Sequence, residues 1–160
     1  MKKICGLTTL PITIKSFMLG NLNYMADNGY KAYAISQPGE VLQKEHLGKV
    51  QFLPLLIKHG NVSPLEVFKT IWKLYKVFKK EQFDIIQYAT SNAALYACIA
   101  GWMARIPVRI YCQWGISYTD YHGMYLWFYK LMEKATCIFS TSVQPDSPSN
   151  FKIFYRGRTL

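Results

Sequence analysis

Polar and aromatic side chains gather where several predicted strands end. The set comprises Thr9 after the first strand, Thr90, Ser91 and Asn92 after the fourth, and Gln113, Trp114 and Gly115 after the fifth. Hydroxyl and amide groups can hold sugar hydroxyls or phosphate oxygens, and the broad face of a tryptophan can stack on a sugar ring or a base. In an open parallel sheet, ligands bind beyond the carboxyl ends of the strands. The pattern therefore predicts substrate binding by these residues, with plain packing of Trp114 as the alternative.

Two residues near the end of the predicted fifth strand could move a proton. Asp120 is one of only nine acidic residues and could act as a general base. His122 could act as a base or donate a hydrogen bond to a phosphate. The alternative for both is an exposed loop position without chemistry, so they are catalytic candidates only.

Several common catalytic motifs are missing from the sequence. The turn after the first strand lacks the G-x-G-x-x-G of dinucleotide-binding proteins, and neither the P-loop pattern nor the nucleophile elbow G-x-S-x-G occurs. The four cysteines lie in apolar runs and never within a few residues of one another, which is not the spacing of a metal site or a redox pair. We therefore expect no cofactor and no metal. The cysteines are interpreted as reduced core residues of a cytoplasmic protein rather than a disulfide framework.

Strands alternate with helices along most of the chain. Predicted strands are 4–8, 30–36, 50–56, 85–88, 108–112 and 136–142, and predicted helices are 15–28, one beginning at 63, 92–105 and 121–134. This alternation indicates parallel strands with right-handed crossovers. The expected fold class is α/β, a Rossmann-like doubly wound parallel sheet formed by residues 1–150. Residues 151–160 are expected to be an irregular tail, and an interrupted gene is one hypothesis for them.

Two of the predicted helices are amphipathic. The apolar face expected for 15–28 consists of Phe17, Leu19, Leu22, Met25 and Ala26. The helix beginning at Ser63 has a hydroxyl cap, a proline at its first position and a glutamate placed for a capping box. Its expected core-facing stripe consists of Leu65, Phe68, Ile71, Trp72, Tyr75 and Phe78, and its opposite stripe consists of Lys69, Lys73, Lys76 and Lys80. The lysines predict either a solvated face or contact with an acidic membrane surface or another polyanion.

The charge balance favours an anionic partner. The formal net charge is +10, from 19 Lys and Arg against 9 Asp and Glu. The basic residues are spread over several elements without a nucleic-acid-binding motif, so nucleic acid is not the expected partner. Residues 85–104 carry no charge and could span a bilayer, but polar residues near their start favour a strand-to-helix junction instead. The basic, apolar start of the chain is interpreted as a first strand rather than a secretory signal, because Pro11 interrupts it.

The order of the predicted elements and several local sequence segments resemble those of a known family. The segments are S-P-L-E-x-F-K-x-I-W-K-L-Y-K-x-F-K-K-E from Ser63, F-D-I-I-Q from Phe83, I-P-V-R-I-Y from Ile106 and M-E-K-x-T-C from Met132. Together they resemble the amino-terminal domain of retaining glycosyltransferases of family 4. These enzymes have the GT-B architecture, in which two Rossmann-like halves surround a cleft. The resemblance covers roughly residues 3–150, and the second half has no counterpart in the sequence.

The resemblance implies a function for the chain. In that family the amino-terminal half mainly binds the acceptor, and the other half holds the nucleotide-sugar donor. The chain would then be the acceptor-binding half of an enzyme that moves a sugar onto a growing, lipid-linked bacterial surface polysaccharide, such as capsule or lipopolysaccharide. It would act in the cytoplasm or peripherally on the inner face of the plasma membrane, and we expect it to be inactive alone. The alternative is a non-catalytic α/β binding module that acts with a separate donor-binding chain.

The sequence also departs from the family at two places. Trp114 and Gly115 stand where many members carry His-Gly, and Thr8 to Ser16 replaces a glycine-rich first loop. The segment from Ser147 to Asn150 resembles the serine-containing segment after the sixth strand. An aromatic cluster of Tyr125, Trp127, Phe128 and Tyr129 is expected to suit a membrane interface.

Overall fold

Six parallel strands form a single sheet in a computed structural model of the chain, which describes residues 1–42, 47–58, 62–114 and 122–147. The strand order is β3-β2-β1-β4-β5-β6. The strands are β1 (Lys3–Leu7), β2 (Lys31–Ser36), β3 (Gln51–Pro54), β4 (Ile85–Tyr88), β5 (Val108–Gln113) and β6 (Ser142–Pro145). Every neighbouring pair is parallel. The predicted Rossmann-like, doubly wound sheet is confirmed.

Helices cover both faces of this sheet. They are α1 (Pro11–Thr13), α2 (Leu19–Asp27), α3 (Pro64–Glu81), α4 (Ser91–Met103) and α5 (Gly123–Phe139), with a π-helical turn at Ile14–Met18 and a 3-10 turn at Glu40–Leu42. The α1 helix, the π turn and α2 follow one another without a break. They pack on one face of the sheet, and α3, α4 and α5 pack on the other.

A separate apolar core lies on each face. The first contains Ile4, Ile14, Met18, Leu22, Ala34 and Cys112, and the second contains Leu7, Tyr33, Leu74, Phe78, Tyr88, Ala97 and Tyr111. Successive strand residues point to opposite faces, which is why Ile4 and Cys5 belong to different cores. Burying one large apolar side chain contributes about 1.5–3 kcal/mol, so the two cores together stabilise the sheet from both sides.

Small residues let α4 approach the sheet closely. Its buried positions are Ala93, Ala94, Tyr96, Ala97, Cys98, Ala100 and Gly101. A Cβ at Gly101 would lie 2.5 Å from Cδ1 of Ile86, and 3.2 Å from Cδ of Arg109. The charge-free run 85–104 is therefore strand β4 followed by this central helix. Within the described residues, no helix is both long and apolar enough to cross a membrane.

The core-facing side of α3 differs from the predicted one. The residues packed against the core are Val67, Ile71, Leu74, Tyr75, Val77 and Phe78. Three members of the predicted stripe, Leu65, Phe68 and Trp72, are instead exposed. The prediction was wrong for them because α3 carries large apolar side chains on two sides, and only one side meets the sheet.

The last helix and the last strand also differ from the prediction. Residues 136–142 were expected to form the sixth strand, but α5 continues through Phe139 and β6 begins at Ser142. The Thr136 hydroxyl donates to the Met132 carbonyl at 2.9 Å, so this β-branched residue is accommodated inside a helix. As a result Thr141 and Ser142 lie at the amino end of β6, whereas the predicted strand would have placed them at its carboxyl end.

The first helical segment starts earlier than predicted. Proline at position 11 opens α1, where its missing N–H costs nothing, and the helical path runs on through the π turn. Phe17 lies in that π turn and is 66% exposed rather than core-facing. Ile14 and Met18 take the buried positions instead. Residues 151–160 lie outside the described residues, so the predicted tail stays a prediction.

Candidate functional site

A crevice is expected where the direction of the strand order reverses. From β1 the chain proceeds outward to β2 and β3, and from β4 it proceeds the other way to β5 and β6. The loops that leave the carboxyl ends of β1 and β4 therefore diverge to opposite faces, and ligands of open α/β sheets bind in the opening between them. Thr8 and Thr9 leave β1 there, and Ala89 and Thr90 leave β4.

Two threonines join the loops at this opening. The hydroxyl oxygens of Thr9 and Thr90 lie 2.8 Å apart, and the Thr9 backbone N–H donates to the Thr90 hydroxyl at 3.1 Å. Thr9 is only 2% exposed, while Thr90 is half-buried. The structure thus brings together two residues that follow separate strands, β1 and β4.

Thr90 has a strained backbone. Its φ of 66° and ψ of 136° lie in a region that a β-branched residue rarely adopts. The other described non-glycine residues with positive φ, Gln82 and Arg105, lie at the ends of helices, where such values are common. Strain of this kind costs about 1–3 kcal/mol and clusters at functional sites. The bonds to Thr9 hold Thr90 in this conformation.

The strain leaves the start of α4 without a side-chain cap. Thr90 is the N-cap residue, but its hydroxyl bonds to Thr9 and not to the backbone of its own helix. Its carbonyl accepts the first helical bond, from the Ala94 N–H at 2.8 Å. Ser91 and Asn92 begin the helix and are half-buried, and the Asn92 amide donates to the Lys58 carbonyl at 3.3 Å. The three predicted residues at this junction therefore follow the carboxyl end of β4, and Thr90 among them contacts Thr9.

Gln113 turns its side chain into the domain. Its amide nitrogen donates to a Glu133 carboxylate oxygen at 2.5 Å, and the Tyr111 hydroxyl donates to the other oxygen at 2.9 Å. Gln113 is 2% exposed, and its buried amide oxygen has no hydrogen-bond partner among the residues that the structure describes. This amide fixes the end of β5 against α5, so a direct contact between Gln113 and substrate stays a prediction.

Burial perturbs the acid in this network. It raises the pKa of Glu133, while the hydrogen bonds from Gln113 and Tyr111 act in the opposite direction. Burial and the nearby Glu133 carboxylate raise the pKa of the Tyr111 hydroxyl. Glu133 was not among the sequence candidates, since its distance in sequence from β5 gave no hint that they meet.

Trp114 follows Gln113 and is paired with an aromatic ring from the π turn. The ring centroids of Trp114 and Phe17 are 5.1 Å apart, with the planes tilted by 38°. Trp114 is half-buried and Phe17 is exposed, so the pair presents aromatic surface beside the crevice. Such surface can stack on a sugar ring. Phe17 was not predicted as a site residue, because the π turn that carries it is visible only in the structure; such turns often occur at functional sites.

The other predicted site residues have separate outcomes. Gly115 and Asp120 lie outside the described residues, so their roles stay predictions. His122 is the exposed N-cap residue of α5, and its side chain makes no cap hydrogen bond. Asp146 and Ser147 follow β6, and the Asp146 N–H donates to the Gln113 carbonyl at 3.3 Å. Asp146 was not predicted as a site residue because the predicted sixth strand ends at residue 142, before β6 does.

The predicted lysine stripe is exposed in full. Lys69, Lys73, Lys76 and Lys80 all point away from the core on α3. Leu65, Phe68 and Trp72 share this outward side. Among the described residues, no cluster of three His, Cys, Asp or Glu side chains could hold a metal ion.

Similar proteins carry the same fold. The chain is 24% identical over 148 residues to the capsular polysaccharide biosynthesis glycosyltransferase CapM of Staphylococcus aureus. This alignment covers 92% of this chain and 38% of CapM. MurG from Acinetobacter baumannii superposes with a TM-score of 0.66 at 12% identity, over 94% of this chain and 42% of MurG. The UDP-GlcNAc 2-epimerase from Neisseria meningitidis, bound to UDP-GlcNAc, gives 0.70 at 18% identity, over 100% of this chain and 43% of that protein.

These comparisons define the family and the extent of the match. The chain spans about two fifths of the length of each of these relatives, and its fold is that of the amino-terminal half of a GT-B architecture. The family described as Glycosyl transferase 4-like matches residues 4–143. Since that match covers most of the 160 residues, the chain belongs to the Glycosyl transferase 4-like family.

Proposed function

We propose that the chain is the acceptor-binding half of a glycosyltransferase that transfers a sugar from a nucleotide-sugar donor to a growing, lipid-linked bacterial surface polysaccharide. The observation that carries this proposal is the strained Thr90, bonded to Thr9 at the opening between β1 and β4. Family membership and the similarity to CapM support glycosyl transfer as the reaction class.

The chemistry of the opening suits a saccharide. Thr90 supplies a hydroxyl group that Thr9 holds in place, and Trp114 with Phe17 supplies an aromatic surface for the apolar face of a sugar ring. The start of α4 adds backbone N–H groups of the kind that bind phosphate oxygens. A sugar attached to a lipid through phosphate presents both kinds of group to such a crevice.

Removing the Thr9 hydroxyl should weaken acceptor binding. In Thr9→Val the shape is nearly kept, but the hydroxyl that holds Thr90 in its strained conformation is lost. We expect at least about a tenfold weaker affinity for a short-chain lipid-diphosphate sugar, since losing one buried hydrogen bond costs about 1–3 kcal/mol. Titration calorimetry on the purified chain measures it.

Thr70→Val is the matched control for that experiment. Thr70 lies on α3, and its hydroxyl donates to the Glu66 carbonyl of the same helix. The control should bind the acceptor analogue as the native chain does. Equal affinities of the native chain and Thr9→Val would contradict the assignment of the crevice.

The 160-residue chain is expected not to turn over nucleotide sugars unaided. It corresponds to about two fifths of the length of CapM, and we propose that the donor binds only together with a second α/β domain. The measurement is release of nucleoside diphosphate from a panel of UDP-, GDP- and TDP-sugars, with and without acceptor. Turnover above the background of a heat-denatured sample would show that the chain does not need a second α/β domain for donor binding.

A second candidate function is a non-catalytic binding module that acts with a separate donor-binding chain. The observation that favours it is the exposed apolar side of α5, formed by Met124, Trp127, Phe128, Leu131 and Ile138. A separate chain that restores turnover when added to this one would support the module. Restoration only by a covalently continuous second domain would support the first candidate.

The proposed place of action is the cytoplasmic side, with peripheral contact to the inner face of the plasma membrane. Cys5, Cys98 and Cys112 are buried free thiols, as in proteins of reducing compartments. Burial raises the pKa of the Cys98 thiol to about 12, which keeps it protonated and unreactive. A lipid-linked acceptor also requires that the crevice be held near a bilayer.

A further inference from the structure

The outward side of α5 carries apolar side chains along most of the helix. We define as the α5 stripe five side chains that are between 49% and 81% exposed: Met124, Trp127, Phe128, Leu131 and Ile138. The buried Thr136, and Cys137, which packs against the second core, belong to the other side of the helix. A helix that packs on a sheet needs only one apolar side. The second apolar side of α5 therefore requires its own explanation.

The α5 stripe repeats every seven residues. Met124, Leu131 and Ile138 are spaced by seven, and Trp127 and Phe128 lie three and four residues after Met124. This is the heptad pattern by which one helix packs along another. The stripe covers most of a 17-residue helix, which is about 25 Å long. A bilayer or a flat protein surface imposes no such repeat, so the spacing indicates that the partner is a helix.

Little charge lies close to the α5 stripe. The charged residues of α5 are Lys130, Glu133 and Lys134. Glu133 points into the domain, where it accepts hydrogen bonds from Tyr111 and Gln113. The two lysines are four residues apart and lie on one flank of the stripe. A contact rich in Trp, Phe and Met with its charges at the rim has the composition of a protein–protein interface.

Much of α5 extends beyond the sheet. At the end of the helix, the Phe139 carbonyl accepts a hydrogen bond from the Arg109 side chain at 2.8 Å, whereas Glu133 is bonded to Gln113, the last residue of β5. The helix therefore runs antiparallel to β5, and its first ten residues, about 15 Å, continue past the carboxyl end of that strand. All of the α5 stripe except Ile138 lies on this projecting part, where a partner helix can approach without meeting β5.

We propose that two copies of this chain pair through their α5 stripes. A two-fold pair is the commonest closed assembly, and both subunits use the same surface in it. Leu131 lies midway between Met124 and Ile138 in sequence. In a pair centred on the stripe, Leu131 would therefore meet its counterpart whether the two helices run parallel or antiparallel. The inference goes beyond the proposed function, since it requires neither acceptor nor donor.

The α5 stripe is large enough for such a pair. A large apolar side chain has about 150–250 Å² of surface, so at the observed exposures the stripe presents on the order of 600 Å². Covering it on both copies would bury about 1,200 Å², which is the lower limit of specific interfaces and more than most crystal contacts bury. A second copy of α5 also brings a matching heptad by symmetry. The pair explains the exposed apolar side of α5 without a separate donor-binding chain.

Sedimentation velocity on the full 160-residue chain at micromolar concentrations tests the inference. The native chain should sediment as a dimer with twice the mass of 18.5 kDa. Leu131→Lys and Leu131→Glu should each weaken the pair at least about tenfold, because like charges would meet at its centre. An equal mixture of the two variants should pair again, since opposite charges then meet. A native chain that stays monomeric, or a mixture that pairs no better than either variant alone, would overturn the inference.

The matched control places the same charges on α3. Phe68 is 64% exposed, and both Phe68→Lys and Phe68→Glu should sediment as the native dimer does. A loss of pairing equal to that of the Leu131 variants would overturn the assignment to α5. Circular dichroism shows whether each variant is folded.

A second measurement introduces no charge into the stripe. In Leu131→Cys, a short bismaleimide should join two copies in a yield well above that of the native chain and of Phe68→Cys. A yield no higher than that of these two controls would overturn the inference. Neither measurement contains sugar, and Thr9→Val should pair normally, so failure of pairing and failure of acceptor binding are separately visible.

Discussion

Replacing Phe78 with alanine is expected to lower the free energy of unfolding by about 3–5 kcal/mol. Phe78 is 1% exposed, and its ring meets that of Phe83 edge-on, with centroids 5.9 Å apart. The substitution removes apolar surface and leaves a cavity between α3 and the sheet that the close-packed neighbours fill only in part. Urea denaturation followed by circular dichroism measures the change, provided that the m value stays constant.

Phe68→Ala is the control for that experiment on the same helix. The Phe68 ring is 64% exposed, so its removal should change the free energy of unfolding by no more than about 0.5 kcal/mol. Similar losses at both positions would contradict the assignment of the buried side of α3.

The start of α3 could be predicted from the sequence, but its buried side could not. Ser63 accepts a hydrogen bond from the Glu66 N–H, as the capping pattern predicts. Periodicity then offers two apolar sides, one with Leu65, Phe68 and Trp72 and another with Leu74 and Phe78. Which side is buried depends on how the helix lies on the sheet. That information comes from contacts distant in sequence.

The β4–α4–β5 region was predicted well because local signals agree with the fold. Strand β4 covers residues 85–88 as predicted, and α4 begins within one residue of the expected start. The β6 prediction was wrong because Thr136, Ile138 and Phe139 have high strand propensity, yet they continue α5. Packing of α5 on α4 and the sheet overrides that propensity, since Thr136 is buried there.

The candidate site was only partly predictable for the same reason. Parallel topology was enough to place Thr9 and Thr90 at one edge, where they are in fact hydrogen-bonded. The strain at Thr90, the Phe17 ring beside Trp114 and the buried Glu133 depend on tertiary geometry. A sequence carries no local signal for a backbone angle that a distant hydrogen bond maintains.

Glu133→Ala is the second substitution with a large expected effect. Without the carboxyl group, the Tyr111 hydroxyl and the Gln113 amide both lose their acceptor inside the domain. An unpaired buried polar group costs about 1–3 kcal/mol, so we expect the free energy of unfolding to fall by about 2–4 kcal/mol at mildly acidic pH. Neither amide atom of Gln113 would then have a partner within the described part of the chain. Urea denaturation again provides the measurement.

The pH dependence separates the charge of Glu133 from its hydrogen bonds. Because burial raises its pKa above the ordinary value of 4.5, the native state holds this proton to a higher pH than the unfolded chain does. Through that window the native state binds more protons, so this group makes the free energy of unfolding fall as pH rises. Glu133→Gln keeps an acceptor oxygen without a charge. The difference in free energy of unfolding, variant minus native, should therefore increase as pH rises through the same window. A difference that stays flat, or that changes in favour of the native chain as pH rises, would show that the native carboxyl is not destabilised by burial.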